Sequence, residues 1–200
     1  MSRSSIIFAV LAVFFVPGTS SCSSQSGGTS SDTPSAYPQS ILDADVVWAT
    51  YSGVDDIYNQ NLAGKPVGTQ SLQGKSCPLG GTVNITGTTA VATDNGITSV
   101  DLQYEMTSCK MARTSKDGNV TLVLTLSGTI NDTGSFNSST HFDGENFQSS
   151  SLSWTGTAHR SGYVDETINE TCPFSASVSQ SSSGGQTSGS ICGRTVSWSF

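Results

Sequence analysis

The feature that most constrains this chain is an alternation of apolar and polar side chains with a period of two. Leu122, Leu124 and Leu126 alternate with hydroxyl-bearing residues, and Leu102, Tyr104 and Met106 alternate with charged or amide residues. The same pattern recurs in four further runs, at residues 82–86, 152–158, 174–178 and 196–200. Because successive side chains of a strand point to opposite faces, this pattern predicts antiparallel strands that are buried on one face.

Short clusters of Asn, Asp and Gly separate these runs. They occupy residues 94–96, 116–119, 131–134, 143–146, 161–162 and 184–185. Asn, Asp and Gly tolerate positive φ, which tight hairpin connections require. The sequence therefore predicts an all-β fold, an antiparallel meander of about 8–10 strands that forms a barrel or a sandwich.

Composition argues against long exposed helices. Ser and Thr together account for 61 of the 200 residues, and charged residues for 12%; Ser, Thr and Gly are poor helix-interior residues. No stretch shows an apolar stripe at helical spacing, and residues 55–62 allow at most one helical turn. On this interpretation Asp43 and Asp45 share one face of a strand, and Asp55 and Asp56 occupy a turn.

The N-terminus has the layout of an export signal. Arg3 precedes an apolar run of 11 residues, 6–16, which Pro17 and Gly18 interrupt. The run is too short to span a bilayer, which needs about 20 residues, so residues 1–21 are predicted to be a secretory signal peptide.

Small residues then lead to Cys22, and at this point the chain resembles a bacterial lipoprotein precursor. Ser20 and Ser21 match the small residues of a lipobox, whereas Thr19 stands where Leu is usual. The resemblance implies that Cys22 is acylated, for example with palmitate, and becomes the first residue of a protein anchored in the cell envelope. Ser23, which is not Asp, implies the outer membrane. Residues 22–40 are then the lipidated cysteine and a flexible Ser/Gly/Pro tether, because they hold too few apolar side chains to fold, and residues 41–200 form one β domain.

Five cysteines give an independent argument. Export implies an oxidising compartment, in which Cys77, Cys109, Cys172 and Cys192 can form two disulfides and leave Cys22 for the lipid. Three connectivities are possible. A Cys-Pro dipeptide follows the same pattern at residues 77 and 172, and this faint internal repeat favours Cys77–Cys109 and Cys172–Cys192. The segment around Cys77 is similar to β-rich, disulfide-containing bacterial lipoproteins.

The sequence offers little sign of chemistry. It has no nucleophile elbow, phosphate loop, dinucleotide fingerprint or paired Cys/His ligands, so we expect no enzyme, no cofactor and no metal. His141 and His159 are the two histidines, and His159, on the polar phase of its strand, is expected to be solvated. Paired carboxylates stand at Asp43/Asp45, Asp55/Asp56 and Asp165/Glu166. A net charge of −7 without a basic cluster argues against nucleic acid.

The leading hypothesis is a lipid-anchored envelope protein with a non-catalytic binding or structural role. Its partner would be an envelope protein or a glycan, which exposed aromatic residues could contact; the candidates are Tyr37, Tyr51, Tyr58 and Phe147. Two alternatives stay open. The alternating C-terminal run that ends in Phe200 resembles the signal of small outer-membrane β-barrels. A secreted hydrolase would need two carboxylates, or a Ser–His pair, converging in a pocket.

Overall fold

The computed structural model describes residues 34–91, 97–137, 144–181 and 184–199. Within them one helix, α1 (Gln39–Asn61), precedes an eight-stranded sheet. The strands are β1 (Gly68–Ser76), β2 (Thr82–Val91), β3 (Ile97–Thr114), β4 (Val120–Asn137), β5 (Gly144–Arg160), β6 (Glu166–Ser181), β7 (Gly184–Ile191) and β8 (Arg194–Ser199). Each strand pairs antiparallel with the next, in the order β1 to β8. The predicted antiparallel meander is confirmed.

The predicted alternation fixes which face of the sheet is buried. Leu102, Tyr104 and Met106 of β3 are buried while their chain neighbours are exposed. Leu122, Leu124 and Leu126 of β4 are buried too, and their chain neighbours are half-buried. The opposite face carries mainly Ser, Thr, Asn and Gln, which are exposed or half-buried. The sheet thus has one apolar face and one hydroxyl-rich face.

Irregular pairing bends the sheet along a line that crosses its central strands. The register shifts between Met106 and Cys109 in β3, and at the facing positions of β4 and β5. Ser108 takes up the irregularity in β3 with a φ of 49°. Bulges of this kind increase bending and twist, so the long strands can curve around the helix on their apolar face.

The helix α1 packs on this face, and it extends well beyond the one helical turn that was predicted for residues 55–62. Residues from β3, β4, β5, β7 and β8 all contact or hydrogen-bond to α1. Because the sheet surrounds it, α1 buries side chains on several sides, and the buried set includes the polar residues Asp43, Asp45 and Thr50. Such a helix needs no single apolar stripe, and this is why the period-3.6 search failed. The turn that ends it contains Gly64 at a φ of 76°.

Contacts between α1 and the sheet are close. A Cβ atom at Gly53 would lie 2.0 Å from Sδ of Met111, so glycine lets the helix approach β3 there. Trp154 of β5 is fully buried and donates its indole N–H to Oγ1 of Thr50 over 3.0 Å. Tyr51 stacks on Phe147 with ring centroids 6.0 Å apart.

Several local predictions need correction. Residues 131–134 were predicted to be a hairpin turn, but they lie inside β4. Tyr37, Tyr51 and Phe147, offered as exposed aromatic residues, are buried, and Tyr58 is half-buried. Tyr51 and Tyr58 of α1 contact Phe147 and Phe136 of the sheet, and Tyr37 stacks on Tyr163. The turns at 116–119 and 161–162 are confirmed.

Both disulfides have the predicted connectivity. Cys77 and Cys109, with Cα atoms 5.4 Å apart, join the β1–β2 connection to β3. Cys172 and Cys192, with Cα atoms 5.1 Å apart, join β6 to the β7–β8 turn. The predicted signal peptide and Cys22 lie outside the described residues.

Candidate functional site

The N-terminal half of α1 is held to the sheet by two arginines. Arg160 at the end of β5 makes a two-point contact with Asp45, through Nε at 2.9 Å and Nη2 at 2.8 Å. Arg194 of β8 does the same with Asp43, at 2.8 and 3.0 Å, and also bonds to Glu170. Asp43 and Asp45 therefore do not share a strand face as predicted. They are helical residues two apart, which point in different directions toward different arginines.

The chain just before α1 also belongs to the folded unit. Ser35 forms a β-bridge with Tyr163, and Tyr37 stacks on the Tyr163 ring with centroids 5.4 Å apart. The Tyr37 hydroxyl donates to Asp45, and burial together with this carboxylate raises the pKa of Tyr37. Residues 35–37 lie in the segment predicted to be a flexible tether, so ordered structure begins before Ile41.

A groove opens between α1, β8 and the β3–β4 turn. We call it the tryptophan groove and define it by Trp48, Trp198, Ser115 and Asp117, which line two adjoining clefts of about 770 and 410 Å³. Both tryptophans are half-buried, so each has part of its surface at the groove while the rest packs on the core. Large aromatic surfaces with a polar edge are typical of ligand sites.

Polar side chains surround these two rings. The larger cleft adds Tyr51, Ser52, Asp55, Thr114, Lys116 and Gln180. The smaller cleft adds Ala44, Asp45, Val120 and Arg160. The groove thus combines two aromatic side chains with hydrogen-bond donors and acceptors, and its charged residues include both acids and bases. The chain as a whole has a net charge of −7.

The β3–β4 turn that forms one wall is fixed by Asp117. Oδ1 of Asp117 accepts from the Ser115 hydroxyl at 2.5 Å and from the Asn119 backbone N–H at 3.1 Å, and Oδ2 accepts from the Asn119 amide at 2.7 Å. These bonds favour the charged form and lower the pKa of Asp117 to about 2. The wall is therefore formed before any ligand arrives.

Asp55 and Asp56 lie in α1, and the predicted turn at these positions is wrong. Asp56 makes an ion pair with Arg113 of β3 at 2.7 Å, and Arg113 also donates to the carbonyl oxygen of Ser52. Arg113 thus ties the middle of α1 to the sheet close to the larger cleft.

A second group of acids lies on the buried face of the sheet, away from the clefts. Asp132 of β4 and Glu145 of β5 are 3% and 4% exposed. We call Asp132, Glu145 and Tyr104 the buried acid cluster. Burial is the main cause that raises the pKa of both carboxyls; Asp55 of α1 raises the pKa of Asp132 further, and Asp132 followed by Asp55 raises that of Glu145.

The described histidine is at the surface. His159 contacts Asp165 through Nδ1 at 2.6 Å, and the two side chains are 55% and 69% exposed. This agrees with the predicted solvated histidine. His141 lies outside the described residues.

A possible metal-ligand group involves the second disulfide. The ligand atoms of Glu170, Cys172 and Cys192 all lie within 4.8 Å of one another. Both sulfur atoms are joined in the disulfide, and Glu170 is paired with Arg194 at 2.8 Å. The group is thus explained by its own covalent and ionic bonds.

No pattern in the sequence predicts the tryptophan groove. The alternating run at 196–200 predicts that Trp198 lies in the final strand, which β8 confirms, and no pattern singles out Trp48. The pair of arginines, Arg160 and Arg194, among only eight Lys and Arg residues, is a signal for the ion pairs of α1 and not for the groove, because Arg194 lines neither cleft. Each is placed to meet an acid of the segment that forms α1.

Comparisons with known proteins identify no relative: no family model, no curated protein and no solved structure matches the chain. Among the residues that the structure describes, none of the helices has the length and apolar character needed to cross a bilayer.

Proposed function

We propose that this protein is an exported, lipid-anchored binding module of the cell envelope, without catalytic activity, that holds a neutral glycan in the tryptophan groove. Its anchor is an acylated Cys22 in the outer membrane. The observation that carries the proposal is the groove itself, in which Trp48 and Trp198 are both partly accessible and polar side chains line the same clefts.

The chemistry of the groove favours a sugar. A pyranose ring has faces of C–H groups that pack on indole rings, and a rim of hydroxyls that both donate and accept hydrogen bonds. Lys116, Gln180 and Asp117 offer both kinds of partner at the groove edge. Because the chain carries a net charge of −7, a neutral glycan is favoured over a polyanion.

Two disulfides support the export part of the proposal, since such bonds persist in oxidising compartments. The lipobox resemblance at Cys22 supports the anchor. If Cys22 is acylated, metabolic labelling with a fatty-acid analogue will tag the protein and Cys22→Ala will abolish the label. Label that persists in the variant would refute the anchor.

The non-catalytic part rests on where the acids lie. Three acids line the clefts: Asp45, Asp55 and Asp117. Asp45 is held in an ion pair with Arg160, and both oxygens of Asp117 accept hydrogen bonds within the β3–β4 turn, so two of the three are already engaged. A broad hydrolase screen of the protein is expected to give no turnover. Robust turnover that disappears on Ala replacement of His141, His159 or one of the paired carboxylates would establish the hydrolase alternative instead.

The binding part is tested by calorimetric titration against neutral envelope oligosaccharides. Trp198→Ala is expected to weaken binding by about tenfold or more, since a buried aromatic contact of this kind contributes on the order of 1–2 kcal/mol. Trp198→Phe keeps an aromatic face and should retain part of the affinity. Leu79→Ala is the matched control, because Leu79 is an exposed apolar side chain outside the groove. Equal affinity in the wild type and Trp198→Ala would remove the groove from the account.

A further inference from the structure

We propose that the hydroxyl-rich face of the sheet binds an extended, uncharged polysaccharide that lies across the strands. The site is a row of side chains, one from each of the strands β3 to β8. We call it the polar row and define it by Gln103, Asn131, Gln148, Ser175, Ser190 and Thr195. The polar row is on the opposite face of the sheet from α1, so it is separate from the tryptophan groove and does not depend on the function proposed above.

Strand register puts these side chains next to one another in a line. Each residue of the row is the direct pairing partner of the next, from Gln103 and Asn131 at one end to Ser190 and Thr195 at the other. Each has a buried chain neighbour, and the row residues themselves are exposed or half-buried, which places all of them on the outer face. Strands lie about 4.8 Å apart, so the row is about 24 Å long.

Hydrogen bonds within the row hold its side chains in place. Nε2 of Gln103 donates to Oδ1 of Asn131 over 3.2 Å, and the Oγ atoms of Ser175 and Ser190 are 3.2 Å apart. Amide and hydroxyl side chains can each both donate and accept, and these two bonds use only part of that capacity. The row therefore presents oriented donors and acceptors, which suit a ligand that is rich in hydroxyl groups.

A cleft of about 480 Å³ opens along the middle of the row. Its lining includes Asn131, Gln148, Ser175 and Ser190. The register shifts of β4 and β5 begin next to this cleft, at Asn131 and Ser149. Because bulges bend a strand locally, they account for a depression in the outer face at the centre of the row, where a chain can lie.

The charge of the row selects an uncharged ligand. All of its side chains are amides or hydroxyls, and none is ionisable. The positions two residues to either side of Gln103 on β3 hold Asp101 and Glu105, which are both exposed. These acids repel an anionic polymer, and the row has no acid of its own to bind a cationic one.

The spacing of the row selects an extended chain. The distance between neighbouring strands, about 4.8 Å, is close to the length of one pyranose unit in an extended β-linked chain. Consecutive sugars can therefore meet consecutive side chains of the row, one unit per strand. An α-linked chain coils and loses this match, and a disaccharide reaches only part of the row. The ligand class is thus a neutral, β-linked polysaccharide.

The test titrates the full mature chain with cellohexaose, a neutral β-linked chain with one sugar for each strand of the row. We expect saturable binding by calorimetry, with shifts of the side-chain amide signals of Gln103, Asn131 and Gln148 in NMR spectra. Cellobiose and the α-linked maltohexaose should bind about tenfold more weakly or less, because they make fewer of these hydrogen bonds. The amide signals report the polar row and the indole signals of Trp48 and Trp198 report the groove, so the two sites succeed or fail separately.

The decisive variant is Asn131→Leu/Gln148→Leu, which removes two amides at the centre of the row. It is expected to bind cellohexaose about tenfold more weakly or less. The control Thr155→Val/Asn169→Leu removes the polar groups of an exposed, directly paired couple elsewhere on the same face and should keep the affinity.

The amide shifts of the wild type decide the question even if a variant does not fold. Absence of cellohexaose binding, binding that leaves these amide signals unmoved, equal affinity for maltohexaose, or an unchanged affinity in the Asn131/Gln148 variant would overturn the proposal.

Discussion

Gly87 shows how a single position constrains this sheet. It lies inside β2 with a φ of 129°, and a Cβ atom there would be 2.1 Å from the backbone oxygen of Asp101. The Cβ atom would clash with the backbone of the neighbouring strand, which cannot move away as a flexible side chain can. Glycine is therefore required both for its conformation and for the space it leaves.

We expect Gly87→Ala to lower the free energy of unfolding by about 1–3 kcal/mol, through overpacking and positive-φ strain. Urea unfolding followed by circular dichroism measures the change. Thr88→Ala is the control, since Thr88 is the next residue of the same strand and is exposed. Equal stability of Gly87→Ala and Thr88→Ala would contradict the backbone contact.

Asp117 gives a prediction of pH dependence at the same scale. Its folded pKa of about 2 lies below the ordinary value of 3.8, so the charged carboxylate is the form that the turn stabilises. The contribution is present above the ordinary pKa and is lost as the pH falls from about 4 to 2. An NMR pH titration is expected to show this low midpoint. Ser115→Ala removes one donor and should raise the pKa of Asp117; a midpoint unchanged by that substitution would show that the Ser115 bond has no effect.

Among the elements, α1 depends most on contacts that the sequence does not reveal. Its acids reach arginines more than 100 residues away along the chain: Asp45 bonds to Arg160, and Asp43 to Arg194. Such pairs leave no local pattern in the sequence, because the partner of each acid is determined by how the sheet curves around the helix. The strands could be predicted because their apolar alternation is local and their turns carry Asn, Asp and Gly.

Removal of one arginine should loosen α1 from the sheet. Arg160→Met leaves Asp45, which is 8% exposed, without its two-point partner. We expect a loss of about 1–3 kcal/mol in the free energy of unfolding, and less for the exposed control Lys110→Met. Hydrogen exchange should show the first turns of α1 opening faster in Arg160→Met.

A double-mutant cycle with Asp45→Asn separates the ion pair from other effects of the arginine. A coupling energy near zero would mean that Arg160 contributes through packing alone.

At the scale of the whole molecule, the sequence predicted the meander, the buried face and both disulfides. It did not predict that the enclosed space is filled by a helix, because α1 is surrounded by strands and carries buried Asp and Thr in place of a continuous apolar stripe. The groove could not be predicted either, because it forms only where α1, β8 and the β3–β4 turn meet, and α1 was not predicted. Residues 131–134 form a strand and not the predicted turn because they pair with β3 on one side and with β5 on the other.

The central claim, that a glycan binds in the tryptophan groove, is tested most directly by the indole N–H signals of the three tryptophans in an NMR titration. Trp48 and Trp198 line the groove, while Trp154 is fully buried and bonded to Thr50, so it is a control within the same molecule. The account predicts that a neutral envelope oligosaccharide shifts the signals of Trp48 and Trp198 in a saturable manner and leaves that of Trp154 in place. Saturable binding that leaves the signals of Trp48 and Trp198 unmoved would contradict it.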